Sequence, residues 1–209
     1  MNLILQNQDF IAVDKPAGIS VHNAEGAENL IEILERELDV KKLFPVHRLD
    51  KETSGIQILA RNEKSARELA EEFQKKTVLK IYAGILRGQL KVKEGVWRFP
   101  LTDKAEGRKN PAGAARDRVP CETGFRVLND SRYFTHCEFH LFTGRQHQIR
   151  KHTALAGNAL VGDSRYGDPK YNKKIAEIYK NPRMFLHCQK IEIAGFKIES
   201  KLPPDFSLS

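Results

Sequence analysis

The stretch His47-Arg48-Leu49-Asp50-Lys51-Glu52-Thr53-Ser54-Gly55 sets one aspartate among basic neighbours, in a polar run that opens onto an apolar strand. A carboxylate kept charged by nearby cations can serve as a nucleophile or a base. The same residues also suit a solvated charged turn. A second stretch, Thr143-Gly144-Arg145-Gln146-His147-Gln148-Ile149-Arg150-Lys151-His152, follows an alternating segment and opens one with helical spacing. Its backbone N–H groups and cations could together face an anion. An amphipathic helix with a solvated basic face is the competing reading. Tyr82 shares a strand face with Lys80, opposite Leu79, Ile81 and Ile85. Its flat ring suits either packing or a base-stacking platform.

Other chemistries find less support. His136 and His140 stand four residues apart with Cys137 and Glu138 between them, a spacing that on a helix could share one zinc ion. Tyr133, Thr135, Cys137, Phe139 and Leu141 alternate as a strand does, however. Four strand residues span roughly 13 Å, so no metal site is expected. No GxxxxGKS/T phosphate loop occurs. Asp50-Lys51-Glu52-Thr53 departs by one inserted residue from the Asp-Lys-Thr phosphorylation motif of ion-pumping ATPases. A phosphoryl-transfer enzyme built on Asp50 would also need Mg²⁺ and a second acidic cluster, which the sequence does not supply.

The 209 residues carry 35 Lys and Arg against 27 Asp and Glu, a formal charge of +8 that points to an anionic partner such as nucleic acid. A 40 % hydrophobic and 30 % charged composition excludes wholesale disorder. No run approaches the ~18 apolar residues of a membrane span, and no basic region precedes the first apolar residues as in a secretory signal. Cys121, Cys137 and Cys188 lie far apart without a CxxC pair. That argues against a disulfide scaffold and for reduced thiols in a cytoplasmic-type compartment.

The scaffold for these residues is read from periodicity. Strands are predicted at 3–5 and 10–13, closed by a Lys15-Pro16-Ala17-Gly18 turn. Leu30, Ile31, Ile33, Leu34 and Leu38 recur at helical spacing and predict a helix over 28–38. Residues 44–55 read as a loop leading into a strand at 56–60. Asn62 is expected to cap a helix whose apolar side is Ala66, Leu69, Ala70 and Phe73. Strands at 77–86 and 133–142, a helix over 144–156 stopped by Gly157, and closing strands at 184–193 and 195–199 complete the pattern. Residues 104–118 set Lys104, Arg108, Lys109, Arg116 and Arg118 among Gly, Ala and Pro, and are expected to form a mobile basic loop. Strands outnumber helices, and no repeat or linker is visible. The expected class is α+β (mixed α/β): one domain over 1–209 on a largely antiparallel sheet with flanking helices.

Taken in order, these stretches resemble the RluA-type pseudouridine synthases. His47–Gly55 is similar to the family's HRLDxxTSG at every fixed position, and Gly144–His152 to its GRxHQIRxH. Gly162-Asp163-Ser164-Arg165-Tyr166-Gly167 is similar to GDxxYG. Asp14-Lys15-Pro16-Ala17-Gly18, Lys80-Ile81-Tyr82-Ala83 and Arg183-Met184-Phe185-Leu186-His187 are supporting matches, so the resemblance covers almost the whole chain in family order. Lys151 and Thr153 stand at commonly apolar positions, Asn158-Ala159 where His-Pro is usual, and Cys188 in place of a common alanine. None removes a group the chemistry needs. The resemblance is to the catalytic domain alone, with no S4-like domain, which would leave that domain to select its RNA.

The resemblance implies a pseudouridine synthase fold and an isomerase acting on a specific uridine of structured transfer RNA or 23S-type ribosomal RNA. The C1′–N1 bond breaks, the uracil turns, and C1′ joins C5. Atoms balance with no net redox, so no cofactor and no metal is implied. Asp50 would be the essential carboxylate, by covalent attack or by taking a ribose proton, with Arg145 favouring its charged form. Tyr82 would stack on the target base, with Ile149 and Leu186 as pocket walls. The base must leave its stack to reach Asp50, and the planar guanidinium of Arg48 could fill the space. His47, Lys80, Lys104, Arg108, Lys109, Arg150 and Lys151 are the other candidate RNA contacts. The expected partner is an RNA stem-loop, with no membrane and no obligatory protein partner, and the expected state is a cytoplasmic monomer. A catalytically silent RNA-binding relative of the same fold is the alternative. It would have Asp50 or Arg145 replaced, and both are present.

Overall fold

In a computed structural model that describes residues 2–22 and 26–208, the chain begins with strands β1 (Asn2–Gln6) and β2 (Phe10–Lys15) and helix α1 (Leu30–Glu37). Strands β3 (Phe44–Pro45) and β4 (Ser54–Ala60), helix α2 (Glu63–Lys75), and strands β5 (Leu79–Arg87) and β6 (Glu94–Trp97) follow. After a 3₁₀ turn at Ala115–Asp117 come β7 (Thr123–Asp130), β8 (Phe134–Leu141), α3 (Gln148–Leu155), α4 (Pro169–Tyr179), β9 (Leu186–Ile193) and β10 (Phe196–Glu199). These form two units, one from the described part of Met1–Lys80 with Cys188–Lys201, the other from Ile81–His187 with the described part of Leu202–Ser209. The class is α+β on largely antiparallel strands, as expected.

In the first unit the strands run β1-β2-β4-β9, with β3 also on β4 and β10 on β9. The pairs β1·β2, β2·β4, β3·β4 and β9·β10 are antiparallel. Every residue of β4 is buried, which explains why it reads as a nearly unbroken apolar run. Leu30 and Leu34, one helical turn apart on α1, close a core with Ile11, Val13, Val21, Leu43 and Leu59. The helix predicted over 28–38 starts at Leu30 because Asn29 caps it. The Asn29 side chain accepts from the Glu32 N–H while Glu32 accepts from the Asn29 N–H, each at 3.1 Å. Asn62 caps α2 as expected. The strand predicted at 56–60 begins earlier, at Ser54, and its second residue shows why glycine stands there. Gly55 has φ +107°, and a Cβ on it would lie 2.2 Å from the Cys188 carbonyl oxygen.

The second unit orders its strands β5-β8-β7-β6, all antiparallel. Ala83 and Ile85 of β5 pack with Phe134, Val161, Ile175, Phe185 and Phe206. Helix α4 follows an Asp168 cap and a Pro169 first residue, a start signal that periodicity alone passed over. The helix predicted over 144–156 forms only at Gln148–Leu155, because His147 adopts a left-handed φ of +57° that ends the helical path. Its predicted solvated basic face is also corrected: Gln148, Ile149, Arg150, Lys151, His152 and Thr153 are all buried. The basic stretch 104–118 is tied at its base, where Leu101 bridges Val119 and packs with Ala112 and Cys121.

Candidate active site

In the first unit the Asp50 turn is held by buried residues on either side. The Thr53 N–H donates to the Asp50 carbonyl at 3.1 Å, closing the turn. The Lys51 carbonyl accepts from the Gly18 N–H at 2.8 Å and from Lys15 Nζ at 3.2 Å. Lys15 is fully buried, and its ammonium also donates to the carbonyls of Pro16 and Ile19. Upstream, the fully buried Gln57 of β4 accepts from the Leu49 N–H at 3.1 Å and donates to the His47 carbonyl at 2.7 Å. Asp50 itself is half-buried. Its main chain is therefore anchored one residue before and one residue after.

His47 and Lys80, both predicted to touch RNA, come together around Phe73. The His47 ring stacks on Phe73 at 4.9 Å, and Lys80 Nζ lies 5.9 Å from the same ring. His47 Nε2 accepts from the Ile58 N–H at 2.9 Å. Burial first, and Lys80 second, push its pKa down to about 3, so the ring is neutral near pH 7. Burial likewise lowers the pKa of Lys80, which is 7 % exposed. Neither side chain presents an exposed cation. Arg48 does: it is exposed, with Nη1 3.0 Å from His22 Nε2.

In the second unit a buried amide organises the Arg145 turn. Gln148, 3 % exposed, accepts from the Thr143 hydroxyl at 2.7 Å and the Arg145 N–H at 3.0 Å. Its Nε2 donates to the Glu122 carbonyl at 2.9 Å and to Thr123 Oγ1 at 2.8 Å. Thr123 Oγ1 lies 2.9 Å from His152 Nδ1, and His152 Nε2 lies 2.9 Å from the Phe99 carbonyl. A carbonyl can only accept, so Nε2 carries the proton and Nδ1 takes the threonine hydroxyl's. Burial lowers the His152 pKa and keeps this neutral form. Beyond the turn, Asp103 receives the Gln146 N–H at 2.8 Å and sits 3.5 Å from Arg145 Nη1. Arg145 Nε is buried and meets no hydrogen-bond partner among the described residues.

Tyr82, Ile149 and Leu186 are buried, with Tyr82 opposite Phe139 in the β5·β8 register. Arg150 and Lys151 depart from the predicted phosphate contacts. Arg150, 2 % exposed, grips Asp163 through Nε at 2.8 Å and Nη2 at 3.0 Å. Lys151, fully buried, donates to the carbonyls of Thr102 and Lys104. Their charges are matched inside the protein, where an unpaired cation would be costly. Lys104, Arg108 and Lys109 are exposed, with Lys104 Nζ 3.2 Å from Asp117.

Sequence reasoning did not single out Gln57, Gln148, Asp103 or the anchoring role of Lys15. One signal was available for Gln57, a lone polar residue inside the apolar run Ile56–Ala60. His136 and His140 lie on β8, the strand that their alternating neighbours predict.

A family described as RNA pseudouridylate synthase matches residues 9–155. The chain is 32 % identical over 193 residues to the ribosomal large subunit pseudouridine synthase C of Pasteurella multocida, covering 90 % of this chain and 59 % of that protein. It is 30 % identical over 205 residues to the ribosomal large subunit pseudouridine synthase D of Buchnera aphidicola, covering 92 % and 65 %. The chain thus spans about three fifths of the length of these curated relatives. The solved human RNA pseudouridylate synthase domain containing 4 shares the fold, with a TM-score of 0.82 at 22 % identity over 98 % of this chain and 90 % of that one. No helix among the described residues is long and apolar enough to cross a membrane.

Proposed function

Because the chain belongs to the RNA pseudouridylate synthase family, we propose that it isomerises a uridine of structured RNA to pseudouridine, with Asp50 as the essential carboxylate. The observation that carries this reading is the complete HRLDxxTSG stretch within the family match, its aspartate in a turn fixed through Lys51 and Leu49. Catalysis needs the reacting group held to within ~0.5 Å, and buried hydrogen bonds on both sides of Asp50 suit that demand. Relatives named for the ribosomal large subunit favour ribosomal over transfer RNA as the substrate.

The target base leaves its stack and enters the site. Asp50, by attack or by taking a ribose proton, lets the C1′–N1 bond break. The freed uracil turns and forms the C1′–C5 bond, C5 loses its proton and N1 gains one. Arg145 offers its cation to the substrate. Its buried Nε, with no partner among the described residues, is a donor suited to an incoming acceptor. Tyr82 stacks on the uracil between walls formed by Ile149 and Leu186. Arg48 fills the vacated space in the RNA, Lys104 and Lys109 touch phosphates, and Arg108 contacts the RNA beside them. One catalytic domain acting as a monomer suffices for this scheme, and no cofactor enters its atom balance.

Tritium release from transcripts carrying 5-³H-uridine reports loss of the C5 proton. Unmodified large-subunit ribosomal RNA should release tritium with the wild-type protein. Asp50→Asn should release none while binding the same RNA nearly as well, because the amide keeps the shape but neither attacks nor accepts the proton. Turnover by the Asn variant at a wild-type rate would remove Asp50 from the mechanism.

A further inference from the structure

A cleft of about 200 Å³ opens in the second unit, lined by Arg87, Arg108, Asp168 and Tyr171 together with the apolar Ala154 and Leu160. It is smaller than the ~300–1,000 Å³ of sites for drug-sized ligands. The Arg87 guanidinium lies 4.4 Å from the Tyr171 ring centroid, which makes a flat cation–aromatic surface. Asp168 Oδ1 is occupied, accepting from the N–H groups of Lys170 and Tyr171 as the cap of α4. Oδ2 is not so engaged: Arg87 Nη1 stands 3.8 Å away, beyond hydrogen-bond length. The Tyr171 hydroxyl is buried and meets no hydrogen-bond partner among the described residues. A buried hydroxyl left unmatched is uncommon in a settled fold.

These groups form a mixed set: a carboxylate oxygen that only accepts and two guanidinium groups that only donate, beside the Tyr171 ring. A phosphate would suit the arginines but meet Asp168 with like charge. A nucleobase suits all of them, since unstacked RNA bases are held by stacking on aromatic rings or guanidinium planes and by hydrogen bonds at their edges. Guanine matches best. Its O6 and N7 accept from arginine, and its N1–H and N2–H donate to a carboxylate. We propose that this cleft binds one unstacked base, guanine before the others, and so helps choose the RNA. That the base belongs to a substrate RNA rests on the function proposed above; the chemistry of the cleft does not.

The test titrates the Asp50→Asn protein, in which turnover plays no part, with GMP, AMP, CMP, UMP and inorganic phosphate, followed by calorimetry. GMP should bind at least about tenfold more tightly than AMP or CMP, a difference of ~1.4 kcal/mol, while UMP, which the uridine site proposed above also accepts, should bind in a way that Asp168→Asn does not alter. Asp168→Asn, added to that protein, keeps an equally good helix cap but turns an N–H₂ group to where Oδ2 stood. It should weaken GMP about tenfold with melting unchanged. Tyr171→Leu, which removes the ring beside Arg87, should also weaken GMP, whereas Tyr171→Phe, which keeps the ring and deletes only a buried unmatched hydroxyl, should leave GMP binding intact and melting unchanged or raised. Equal binding of GMP and phosphate would make the cleft an anion site and overturn the proposal. So would the absence of saturable nucleotide binding, or GMP binding that neither Asp168→Asn nor Tyr171→Leu alters. Failure of tritium release by the wild-type protein would instead count against the enzymatic reading and leave the cleft's chemistry standing.

Discussion

Gln148→Met keeps the length of the side chain and deletes four hydrogen bonds, to Thr143, Arg145, Glu122 and Thr123. Two of the four partners can recover. The Thr143 hydroxyl also lies 3.5 Å from the Glu122 carbonyl, and the Thr123 hydroxyl still faces His152. The Arg145 N–H is left without its acceptor, at ~1–3 kcal/mol for a buried group, and the remaining bonds are worth ~1 kcal/mol net. A loss of ~2–4 kcal/mol is expected, which at ~2–4 °C per kcal/mol for a chain of this size lowers the melting temperature by roughly 4–16 °C. Arg145 would also lose the acceptor that fixes its main chain. Below the melting range, tritium-release kinetics should therefore show kcat falling more than KM changes, the mark of an interaction made in the transition state. Gln148→Glu is the informative companion. It keeps both acceptor contacts, loses both donors and sets a carboxylate oxygen against the Glu122 carbonyl, so it should destabilise at least as much. A drop below ~2 °C in the Met variant, with kcat unchanged, would refute the argument that this amide holds the turn.

Two further outcomes are expected. His47 has its pKa at about 3 in the fold against about 6.5 when unfolded, so the unfolded chain takes up the extra proton on acidification. The contribution of this residue is whole above pH ~6.5 and is lost as pH falls toward 3, with a slope of at most ~1.4 kcal/mol per pH unit. Melting temperatures measured across that range should fall more steeply for the wild type than for His47→Asn, and parallel curves would show the ring to be irrelevant. In the basic stretch, changing Lys104, Arg108 and Lys109 together to Ala should raise the Kd for RNA and reduce its salt slope by roughly 2–3 units, with turnover at saturating RNA little altered. An unchanged salt slope would make these residues a solvated surface.

What was legible in the sequence divides along a physical line. Asp50, Arg145 and Tyr82 could be proposed because they stand in stretches that resemble the family's motifs in the family's order. The residues that hold them could not, because their partners are distant along the chain. Lys15 reaches Lys51, 36 residues on, and Lys151 reaches Thr102, 49 residues back. Charge alone places Arg150 and Lys151 on a wet face. Only the fold shows a carboxylate and two carbonyls waiting inside. The early start predicted for α3 has a similar cause. Gly144–His147 fits a helical period, and a left-handed histidine is not visible in a hydrophobic pattern. Helix α4 was legible in Asp168-Pro169, a cap and first-turn pair, but its polar face hid the periodicity.

The choice of anchor under each motif follows from what the irregular backbone presents. Around Lys15 three carbonyls converge, from Pro16, Ile19 and Lys51. Only donors are needed there, and an ammonium supplies three, while an amide would turn an oxygen toward oxygens. Lys151 meets the same situation with the carbonyls of Thr102 and Lys104. Beneath the His47–Leu49 stretch and beneath Arg145 the backbone presents N–H and carbonyl groups together. There a glutamine serves, Gln57 in one unit and Gln148 in the other, because its head both accepts and donates. Each anchor is thus matched to the backbone it meets: an ammonium where only carbonyls converge, and an amide where N–H and carbonyl groups stand together.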